Sequence, residues 1–332
     1  MNPFILTPAR KKDFINRQEI IKLILQTVIS KGLGDVWVEG ERQVGKTSLL
    51  QYIEYKGDDF IDRFRHYHTE QEMIPTFLYF NVQAVDTIDE FYKTASDTIR
   101  SRFDIKFKQV ANAYENFVNH IKLIFKQGFY AVLLIDEFDS MLENFDSKQL
   151  LLFIKKFNST LEHIATLPNK PKAFSCVFAA NSSFSEILYS KEVQLKSQSG
   201  LKFEAFELEW FSKEYVKELA ERYLQKNKLT FTPKEIELCY KYTQGYPYFT
   251  QKMFRLMYLN KPKFENYKDF EKYIKQEIGK EFARTIEAWG AEKMPNRTIS
   301  KLQQMFGGKT ADKFLDLTFR TLDNFIKAQM MR

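Results

Sequence analysis

The sequence contains few cysteines and no long apolar run. Its two cysteines, Cys176 and Cys239, are far apart in the 332-residue chain and lack the spacing of metal ligands. A disulfide-stabilised fold is therefore excluded, and the composition fits a reducing compartment. No stretch reaches the roughly 18 consecutive apolar residues of a membrane-spanning helix, and the N-terminal residues do not form the apolar segment of a secretory signal. We therefore expect a cytoplasmic protein that does not insert into membranes.

The net charge of +7 is concentrated at the C-terminal end of the chain. Residues 251–332 hold 17 lysines and arginines against 10 acidic residues, and this difference of seven equals the excess of the whole chain. The preceding part is therefore nearly neutral. A basic region of this kind can contact the phosphates of DNA or an acidic partner protein, or it can be the solvated face of amphipathic helices.

Short apolar runs alternate with long helical patterns before about Trp210. No internal repeat or low-complexity tract is present, so the fold class is inferred from hydrophobic periodicity. Four runs have the length and composition of buried strands, namely 35–39, 77–82, 130–135 and 174–179. Buried strands separated by helices predict a parallel sheet of the α/β class. After Trp210 apolar residues recur at helical spacing, which predicts an all-helical remainder.

The strongest motif is the octet GERQVGKT at residues 40–47, which matches G-x-x-x-x-G-K-[ST]. It lies between a predicted strand and a predicted helix, which is the setting in which this loop binds nucleotide phosphates. Lys46 would add a positive charge to the β- and γ-phosphates, and the Thr47 hydroxyl would be a ligand for Mg²⁺. An ordinary glycine-containing turn is the alternative. The predicted nucleotide-binding residues of this segment are Gly40, Gln43, Val44, Gly45, Lys46, Thr47 and Ser48.

Two adjacent acidic residues, Asp136 and Glu137, follow the predicted strand 130–135. In a chain with a phosphate-binding loop, such a pair predicts hydrolysis as well as binding. We assign Asp136 to hold Mg²⁺, usually through water, and Glu137 to orient and polarise the attacking water. A polar strand end that meets solvent is the alternative. Asp139, two residues further on, is interpreted as a loop or helix-capping residue.

A polar residue, Asn181, follows the last predicted strand. The carboxyl ends of parallel strands meet at one edge of a sheet, so the Asn181 side chain would lie where the γ-phosphate and the attacking water are bound. We therefore assign it a catalytic role. An Asn-Ser turn chosen for its backbone conformation is the alternative.

With these motifs and several other segments, the chain resembles the AAA+/STAND group of ATPases, in particular the archaeal and bacterial AAA-like ATP-binding proteins related to the origin-recognition initiators. The resemblance extends from the N-terminus through the helix after Pro247. It implies an AAA+-like sheet domain, a helical lid, and ATP with Mg²⁺ as the bound nucleotide. The segments that carry it are Asn2-Pro3-Phe4, Phe14 to Glu19, Gly40 to Leu50, Leu133 to Phe138, Phe206 to Ser212 and Gly245 to Tyr248.

The resemblance also implies roles outside the phosphate-binding loop. Asn181 is similar to the sensor-1 residue of AAA+ ATPases. The segment before the loop would line the adenine pocket. A turn containing Gly245 and Pro247 would begin the lid helix that closes over the nucleotide. That helix offers Lys252 and Arg255 to reach the phosphates, and Arg255 is the candidate for the sensor-2 residue. A solvated helix face is the alternative for Arg255.

The resemblance divides the chain into three parts. Residues 1–206 would form the ATPase core with the adenine-pocket segment, 207–262 the helical lid, and 263–332 a helical, basic C-terminal region. The sequence departs from the family pattern at Asn16, where relatives commonly have glycine, and at Gln244, where they often have a second glycine.

No arginine occurs between Asn181 and Phe206, where oligomeric AAA+ proteins usually place an arginine finger. An arginine finger contributes roughly 10³ to 10⁵ in rate, and a lysine lacks its bidentate geometry. We therefore expect hydrolysis to be slow alone or to be completed by a partner. The resemblance also allows a nucleotide-dependent oligomer. The basic residues available in this interval are Lys191, Lys196 and Lys202.

The sequence supports two functional interpretations of an ATPase. The first is a slow regulatory switch of the AAA+/STAND type that acts through a separate partner protein in signalling or defence, and the missing arginine favours it. The alternative is an initiator-like or transposition-type DNA-binding ATPase, which the basic C-terminal region favours. Residues 263–332 show no clear pair of strands for a winged helix, so this interpretation ranks second. A binding module without hydrolysis is disfavoured because the required residues are all present, namely Lys46, Thr47, Asp136 and Glu137.

Overall fold

The structure is a computed structural model, which describes residues 14, 17–29, 34–64, 73–103, 110–165, 174–193, 202–227 and 230–289. The described residues divide into two compact units, with the boundary between Leu208 and Glu209. The first unit combines a sheet with helices, and the second is helical. The predicted division at residue 262 stays a prediction, and residues 290–332 of the predicted C-terminal region lie outside the described residues.

In its described residues, the first unit is built around five parallel strands. The strands are β1 (Val36–Glu39), β2 (Ile74–Asn81), β3 (Phe129–Asp136), β4 (Phe174–Ala180) and β5 (Glu204–Glu207). They are ordered β2-β3-β4-β1-β5. The helices are α1 (Gln18–Ile29), α2 (Lys46–Phe64), α3 (Ile88–Phe103), α4 (Ala113–Lys126), α5 (Phe138–Asn144), α6 (Ser147–Ala165) and α7 (Phe184–Ser190). The predicted α/β fold with a parallel sheet is confirmed.

Two strands differ from the sequence expectation. β2 begins at Ile74, three residues before the predicted start, and includes Pro75. Proline is tolerated there because β2 is an edge strand, where one side of the backbone has no partner strand. β5 was not predicted, since its four residues Glu204–Glu207 are mostly exposed and include no apolar run. These residues form a strand because they pair with β1, at the edge of the sheet opposite β2.

The strand order brings three loops together. β4 lies between β1 and β3, with Glu39 paired to Ala180 and Ile135 paired to Phe178. The three strands therefore end at nearly the same level. The phosphate-binding loop follows β1, the acidic pair follows β3, and Asn181 follows β4. The topology alone thus places these three segments side by side at the carboxyl edge of the sheet.

A cluster of buried aromatic rings holds these loops in place. Phe138 follows Glu137 directly, and its ring lies 4.5 Å from that of Phe178 and 5.8 Å from that of Trp37, measured between centroids. All three side chains are fully buried. The indole Nε1 of Trp37 also donates a hydrogen bond to the Ser182 carbonyl at 3.2 Å. Because buried aromatic side chains dominate core energetics, the cluster fixes the ends of β1, β3 and β4 relative to one another.

The second unit consists of four helices and one short 3₁₀ turn in its described part. They are α8 (Lys213–Asn227), α9 (Pro233–Thr243), α10 (Pro247–Asn260), the 3₁₀ turn Lys261–Lys263 and α11 (Tyr267–Trp289). α9 begins with a capping box in which Thr232 and Glu235 exchange hydrogen bonds, and both α9 and α10 have proline in the first turn. The predicted all-helical character after Trp210 is therefore observed through Trp289.

The turn between α9 and α10 requires glycine at one position. Gly245 has a φ of +80°, and a Cβ atom there would lie 1.9 Å from the Phe211 carbonyl oxygen. The Phe211 amide donates to the Gly245 carbonyl at 2.9 Å, so the two backbones are in direct contact. Any side chain at this position would have to displace that segment.

Gln244 ends α9 in a left-handed conformation, with a φ of 49°. Replacing Gln244 with glycine is expected to raise the free energy of unfolding by about 1 kcal/mol, because glycine adopts this conformation without the steric cost of a Cβ atom. Chemical denaturation measures the change. Gln244→Ala, which keeps the Cβ atom, is the control, and equal stability of the two variants would contradict the expectation.

No helix among the described residues has the length and apolar character needed to cross a membrane. Cys176 and Cys239 are both buried, and neither forms a disulfide in the part of the chain that the structure describes. They occupy β4 and α9, in different units. Both therefore act as small core side chains.

Candidate nucleotide-binding site

The loop between β1 and α2 has the backbone of a phosphate cradle. Gln43 and Gly45 have φ values of 61° and 111°, and the Val44 amide donates to the Glu41 carbonyl at 3.2 Å. A Cβ atom on Gly45 would meet nothing within 4 Å, so this glycine is required by its conformation and not by lack of space. At Gly40 a Cβ atom would lie 3.0 Å from the Leu208 carbonyl oxygen, so close packing favours glycine there. Such a loop followed by a helix presents backbone amides to an anion.

The Lys46 ammonium is buried at the centre of the loop. It donates to the carbonyls of Gly40 and Glu41 at 2.8 and 3.0 Å and to the Asn181 Oδ1 atom at 2.8 Å. An ammonium group has three donors, so all of them are used. Burial lowers the pKa of Lys46, and nearby carboxylates oppose that shift. Those carboxylates, in decreasing order of effect, are Asp139, Glu137, Asp136 and Glu41.

Asp136 is fully buried at the end of β3. Its Oδ2 accepts a hydrogen bond from the Tyr79 hydroxyl at 2.9 Å, and its Oδ1 accepts one from the Glu137 amide at 3.1 Å. Tyr79 lies on the neighbouring strand β2. Burial, followed by the charge of Asp136, raises the pKa of Tyr79, so the phenol stays a hydrogen-bond donor at neutral pH. The hydrogen bonds from the Tyr79 hydroxyl and the Glu137 amide thus fix the orientation of the Asp136 carboxylate.

Glu137 has a strained backbone. Its φ and ψ are 56° and 39°, the left-handed region, and no side-chain bond caps the helix that begins after it. This conformation costs a non-glycine residue about 1 to 2 kcal/mol of conformational free energy, and such strain is concentrated at functional sites. Burial and then the neighbouring charges of Asp136 and Asp139 raise the pKa of the Glu137 carboxyl. A raised pKa makes this carboxylate a better proton acceptor than an ordinary one.

Relief of this strain gives a testable difference between two variants. Glu137→Gly is expected to be more stable than Glu137→Ala by about 1 kcal/mol, because both lose the carboxylate but only glycine adopts the left-handed conformation freely. Urea denaturation of the two proteins measures the difference. If the alanine variant were equally stable, the left-handed conformation of residue 137 would be contradicted.

Asn181 connects the phosphate-binding loop with the segment after β3. Its Oδ1 accepts from Lys46, and its backbone N and Nδ2 both donate to the Asp139 Oδ2 atom, at 2.9 and 2.8 Å. Asp139 is only 1% exposed and lies in the first turn of α5, whose N-cap is Glu137. The interpretation of Asp139 as a loop or capping residue is therefore wrong. Its carboxylate faces the other side chains of the site.

The oxygen atoms of Thr47 and Asp136 match the ligand preference of Mg²⁺, which binds few protein oxygens and keeps several waters. Thr47 is half-buried in the first turn of α2, and Asp136 is buried at the end of β3. Ser48 follows in the same turn and is buried. In the described ranges no group of three or more His, Cys, Asp or Glu side chains is arranged to hold a metal ion. The donor set thus fits an ion that is also bound by phosphate and water, and it does not form a complete protein cage.

The segment before α1 contacts the phosphate-binding loop. The guanidinium of Arg17 donates to the Val44 carbonyl at 3.3 Å, and the Phe14 ring stacks on Tyr52 of α2 with 4.4 Å between centroids. Both residues belong to the segment to which the resemblance assigns the adenine pocket. Asn16 lies outside the described residues.

The lid residues belong to the second unit. Pro247 is buried in the first turn of α10, and Arg255 is exposed two turns later on the same helix. The neighbouring Lys252 pairs with Glu281 of α11 at 2.5 Å. Lys252 therefore connects two helices of its own unit, which leaves Arg255 as the candidate for contact with phosphate. That role of Arg255, and the contact of Pro247 with nucleotide, stay predictions.

Two residues of the site were not found from the sequence. Asp139 is a third acidic residue close behind Asp136 and Glu137, which was a sequence indication of a role in the site. Sequence spacing alone does not show that its carboxylate on α5 contacts Asn181. Tyr79 had no signal, since a tyrosine in an apolar strand is an ordinary core residue. Its role depends on the register that pairs β2 with β3.

Comparison with known proteins places the chain in a family. A family described as an ATPase domain predominantly from Archaea matches residues 14–253. A comparison with curated proteins found no match.

Solved structures with a similar fold include three archaeal proteins. The Aeropyrum pernix ORC2 protein in ADPNP–ADP complexes has a TM-score of 0.58 and 11% identity, over 82% of this chain and 72% of that chain. The Aeropyrum pernix ORC1 protein in complex with DNA has a TM-score of 0.55 and 14% identity, over 99% and 87%. Cdc6p from Pyrobaculum aerophilum has a TM-score of 0.50 and 11% identity, over 78% and 65%. The chain therefore belongs to the family of ATPase domains found predominantly in Archaea and has the AAA+ fold of P-loop ATPases.

Proposed function

We propose that the chain binds ATP with Mg²⁺ in the loop Gly40–Ser48 and hydrolyses it with Lys46, Glu137 and Asn181. One observation carries the proposal: the buried Lys46 ammonium joins the loop after β1 to Asn181 after β4, and the carboxylates after β3 act on the same ammonium. Three segments that are far apart in the sequence thus meet at the Lys46 Nζ atom. Positioning and charge stabilisation are the main requirements of phosphoryl transfer, and this cluster supplies both.

Each residue has a defined task in this proposal. Lys46 exchanges carbonyl acceptors of the loop for β- and γ-phosphate oxygens, which is favourable because the phosphates carry full charge. Thr47 and Asp136 would hold Mg²⁺, which neutralises charge on the phosphates. Glu137 orients the attacking water and accepts its proton as the water oxygen bonds to the γ-phosphorus and the bond to the ADP oxygen breaks. Asn181 contacts the γ-phosphate or the water.

Turnover is proposed to be slow without a partner. The interval between Asn181 and Phe206 contains no arginine. Of its lysines, Lys191 donates to the Glu143 carbonyl at 2.6 Å and Lys202 is exposed, while Lys196 lies outside the described residues. A lysine engaged in its own chain does not replace an arginine finger. A second copy or another protein that supplies a cation would therefore accelerate hydrolysis.

For the biological role, we propose an initiator-like ATPase that binds DNA. The similarity to the ORC proteins, one of them in complex with DNA, supports this interpretation better than a signalling or defence switch with a separate effector. Within the second unit, α10, the 3₁₀ turn and α11 carry nine basic residues, and four of them are paired with acids: Lys252 with Glu281, Lys261 with Glu235, Lys275 with Glu271 and Lys280 with Glu277.

The charge distribution points to the end of the chain as the DNA-binding segment. Residues 251–289 carry nine basic and six acidic residues, whereas residues 290–332 carry eight basic and four acidic ones. The second segment has fewer acids and holds a net excess of four. Because phosphate contacts supply most nonspecific affinity, DNA binding should depend on this segment.

A set of substitutions in the full chain tests this role. Neutralising four basic residues to glutamine should weaken duplex DNA binding about 10-fold or more at low salt. The slope of log affinity against log salt should become shallower by about 0.9 for each DNA phosphate that the protein no longer neutralises. The residues to change are Lys309, Lys313, Arg320 and Lys327. The control neutralises four exposed lysines of the first unit, namely Lys93, Lys122, Lys126 and Lys148.

The control protein should bind DNA as the unmodified chain does. Equal weakening in both proteins would mean a nonspecific charge effect and contradict the assigned segment. A chain that binds no DNA and whose ATP turnover is indifferent to DNA would contradict the initiator-like role and favour the switch with a separate partner. Neither outcome would alter the assignment of ATP hydrolysis.

A further inference from the structure

The buried carboxylate of Asp139 has no task in the proposed chemistry. It is 1% exposed, and its Oδ2 accepts two hydrogen bonds, from the backbone N and the Nδ2 of Asn181. Its Oδ1 is buried without a hydrogen-bond partner in the part of the chain that the structure describes. A buried carboxylate with an unsatisfied oxygen costs free energy, so its presence requires an explanation.

A helix-capping role does not explain this placement. The N-cap position of α5 is occupied by Glu137, and the donors to Asp139 come from the segment after β4 and not from the start of its own helix. By contrast, Asp146 accepts from the Gln149 amide at 2.8 Å and is exposed, as is usual for a residue that begins a helix. Asp139 therefore acts across the sheet edge on Asn181.

The chemistry of the two groups fixes the orientation of Asn181. A carboxylate can only accept hydrogen bonds, so the NH₂ end of the Asn181 amide must face Asp139. The carbonyl end then faces the opposite direction, where Oδ1 accepts from Lys46. Without the carboxylate, the two ends of an amide are nearly equal in shape and can exchange by rotation.

We propose that Asp139 is a positioning residue that holds the Asn181 amide in one of its two orientations, with Oδ1 directed into the phosphate-binding site. The proposal rests on the function proposed above, in which Asn181 contacts the γ-phosphate or the attacking water. In the fixed orientation Oδ1 can accept from Lys46 or from the attacking water, and Nδ2 has one hydrogen bonded to Asp139 and one left to donate to a phosphate oxygen. Loss of Asp139 frees the amide to rotate, so catalysis falls while nucleotide binding through the loop persists.

The test compares steady-state ATP hydrolysis of Asp139→Ala, Asn181→Ala and the double variant. Asp139→Ala should lower kcat by about 10- to 100-fold, the loss expected when a catalytic group is misplaced, with KM for ATP within about threefold of the unmodified value. The double variant should be no slower than Asn181→Ala, because both substitutions remove the same interaction.

Two further variants separate positioning from folding. Asp139→Asn keeps an oxygen that can accept from Asn181, so it should recover most of the lost kcat, and it also serves if the alanine variant does not fold. Asp146→Ala removes an acidic residue from the start of the neighbouring helix and should leave kcat unchanged. A merely structural role would lower the melting temperature without this kcat pattern.

The outcomes distinguish this inference from the function on which it rests. Unchanged kcat in Asp139→Ala, with slow hydrolysis by Asn181→Ala, would overturn the positioning role and leave the ATPase assignment intact. Multiplied losses in the double variant would also overturn it, since the two residues would then act independently. Absent turnover in the unmodified chain would contradict the proposed function itself and the inference with it.

Discussion

Replacing Lys46 with alanine is expected to abolish tight ATP binding. The variant would lack two charge-assisted hydrogen bonds to phosphate oxygens, each contributing about 1.5 to 3 kcal/mol, so affinity should fall by about 100-fold or more. Isothermal titration with ATP and Mg²⁺ measures the loss. The variant should also be less stable, because Asp136, Glu137 and Asp139 would no longer be compensated by the ammonium.

Lys56→Ala provides the matched control. Lys56 lies on the same helix α2, is part of an exposed pair with Asp59, and should be replaceable with little effect on stability or binding. A thermal melt of both variants shows whether Lys46→Ala is folded before its affinity is interpreted. Undiminished ATP binding by folded Lys46→Ala would contradict the assignment of the loop.

Replacing Glu137 with glutamine is expected to stop turnover while ATP stays bound. The amide keeps the shape of the side chain but cannot accept the proton of the attacking water, so kcat should fall by about 10² to 10⁴. Binding should change little, since Lys46 and the loop amides are untouched. Single-turnover hydrolysis and ATP titration of the same preparation separate the two effects.

The raised pKa of Glu137 also predicts the direction in which Glu137→Gln changes the free energy of unfolding. Folding raises the pKa of Glu137, so at a pH above the unfolded-state pKa the charged carboxylate is less favourable in the folded protein than in the unfolded chain. The charge of Glu137 therefore lowers the free energy of unfolding at neutral pH. Removal of that charge should therefore leave the glutamine variant at least as stable as the unmodified protein at neutral pH. Glu143→Gln, exposed near the end of α5, is the control and should hydrolyse ATP normally. Normal turnover by Glu137→Gln would exclude it as the group that activates water.

The sequence predicted the parts of the molecule that depend on local pattern. The octet at residues 40–47 predicted a loop between a strand and a helix, and the apolar runs predicted four of the five strands, because buried parallel strands are continuous apolar segments. The position of Asn181 beside the loop follows from the strand order, which the sequence analysis did not predict and the structure shows.

The remaining features depend on tertiary contacts. β5 contains two glutamates and forms because its backbone pairs with β1. The interpretation of Asp139 as a loop or capping residue is wrong because α5 packs against β4 and brings the Asp139 carboxylate to Asn181. The left-handed backbone of Glu137 is likewise invisible in the sequence, since glutamate has no preference for it.

The most direct test of the account is Mg²⁺-dependent phosphate release from ATP by the freshly purified chain, with and without duplex DNA at fixed low salt, beside Glu137→Gln. The account predicts slow release by the unmodified chain, acceleration by DNA, and release by the glutamine variant at the background level. Release no faster than that of Glu137→Gln under both conditions would contradict the central claim that this site hydrolyses ATP.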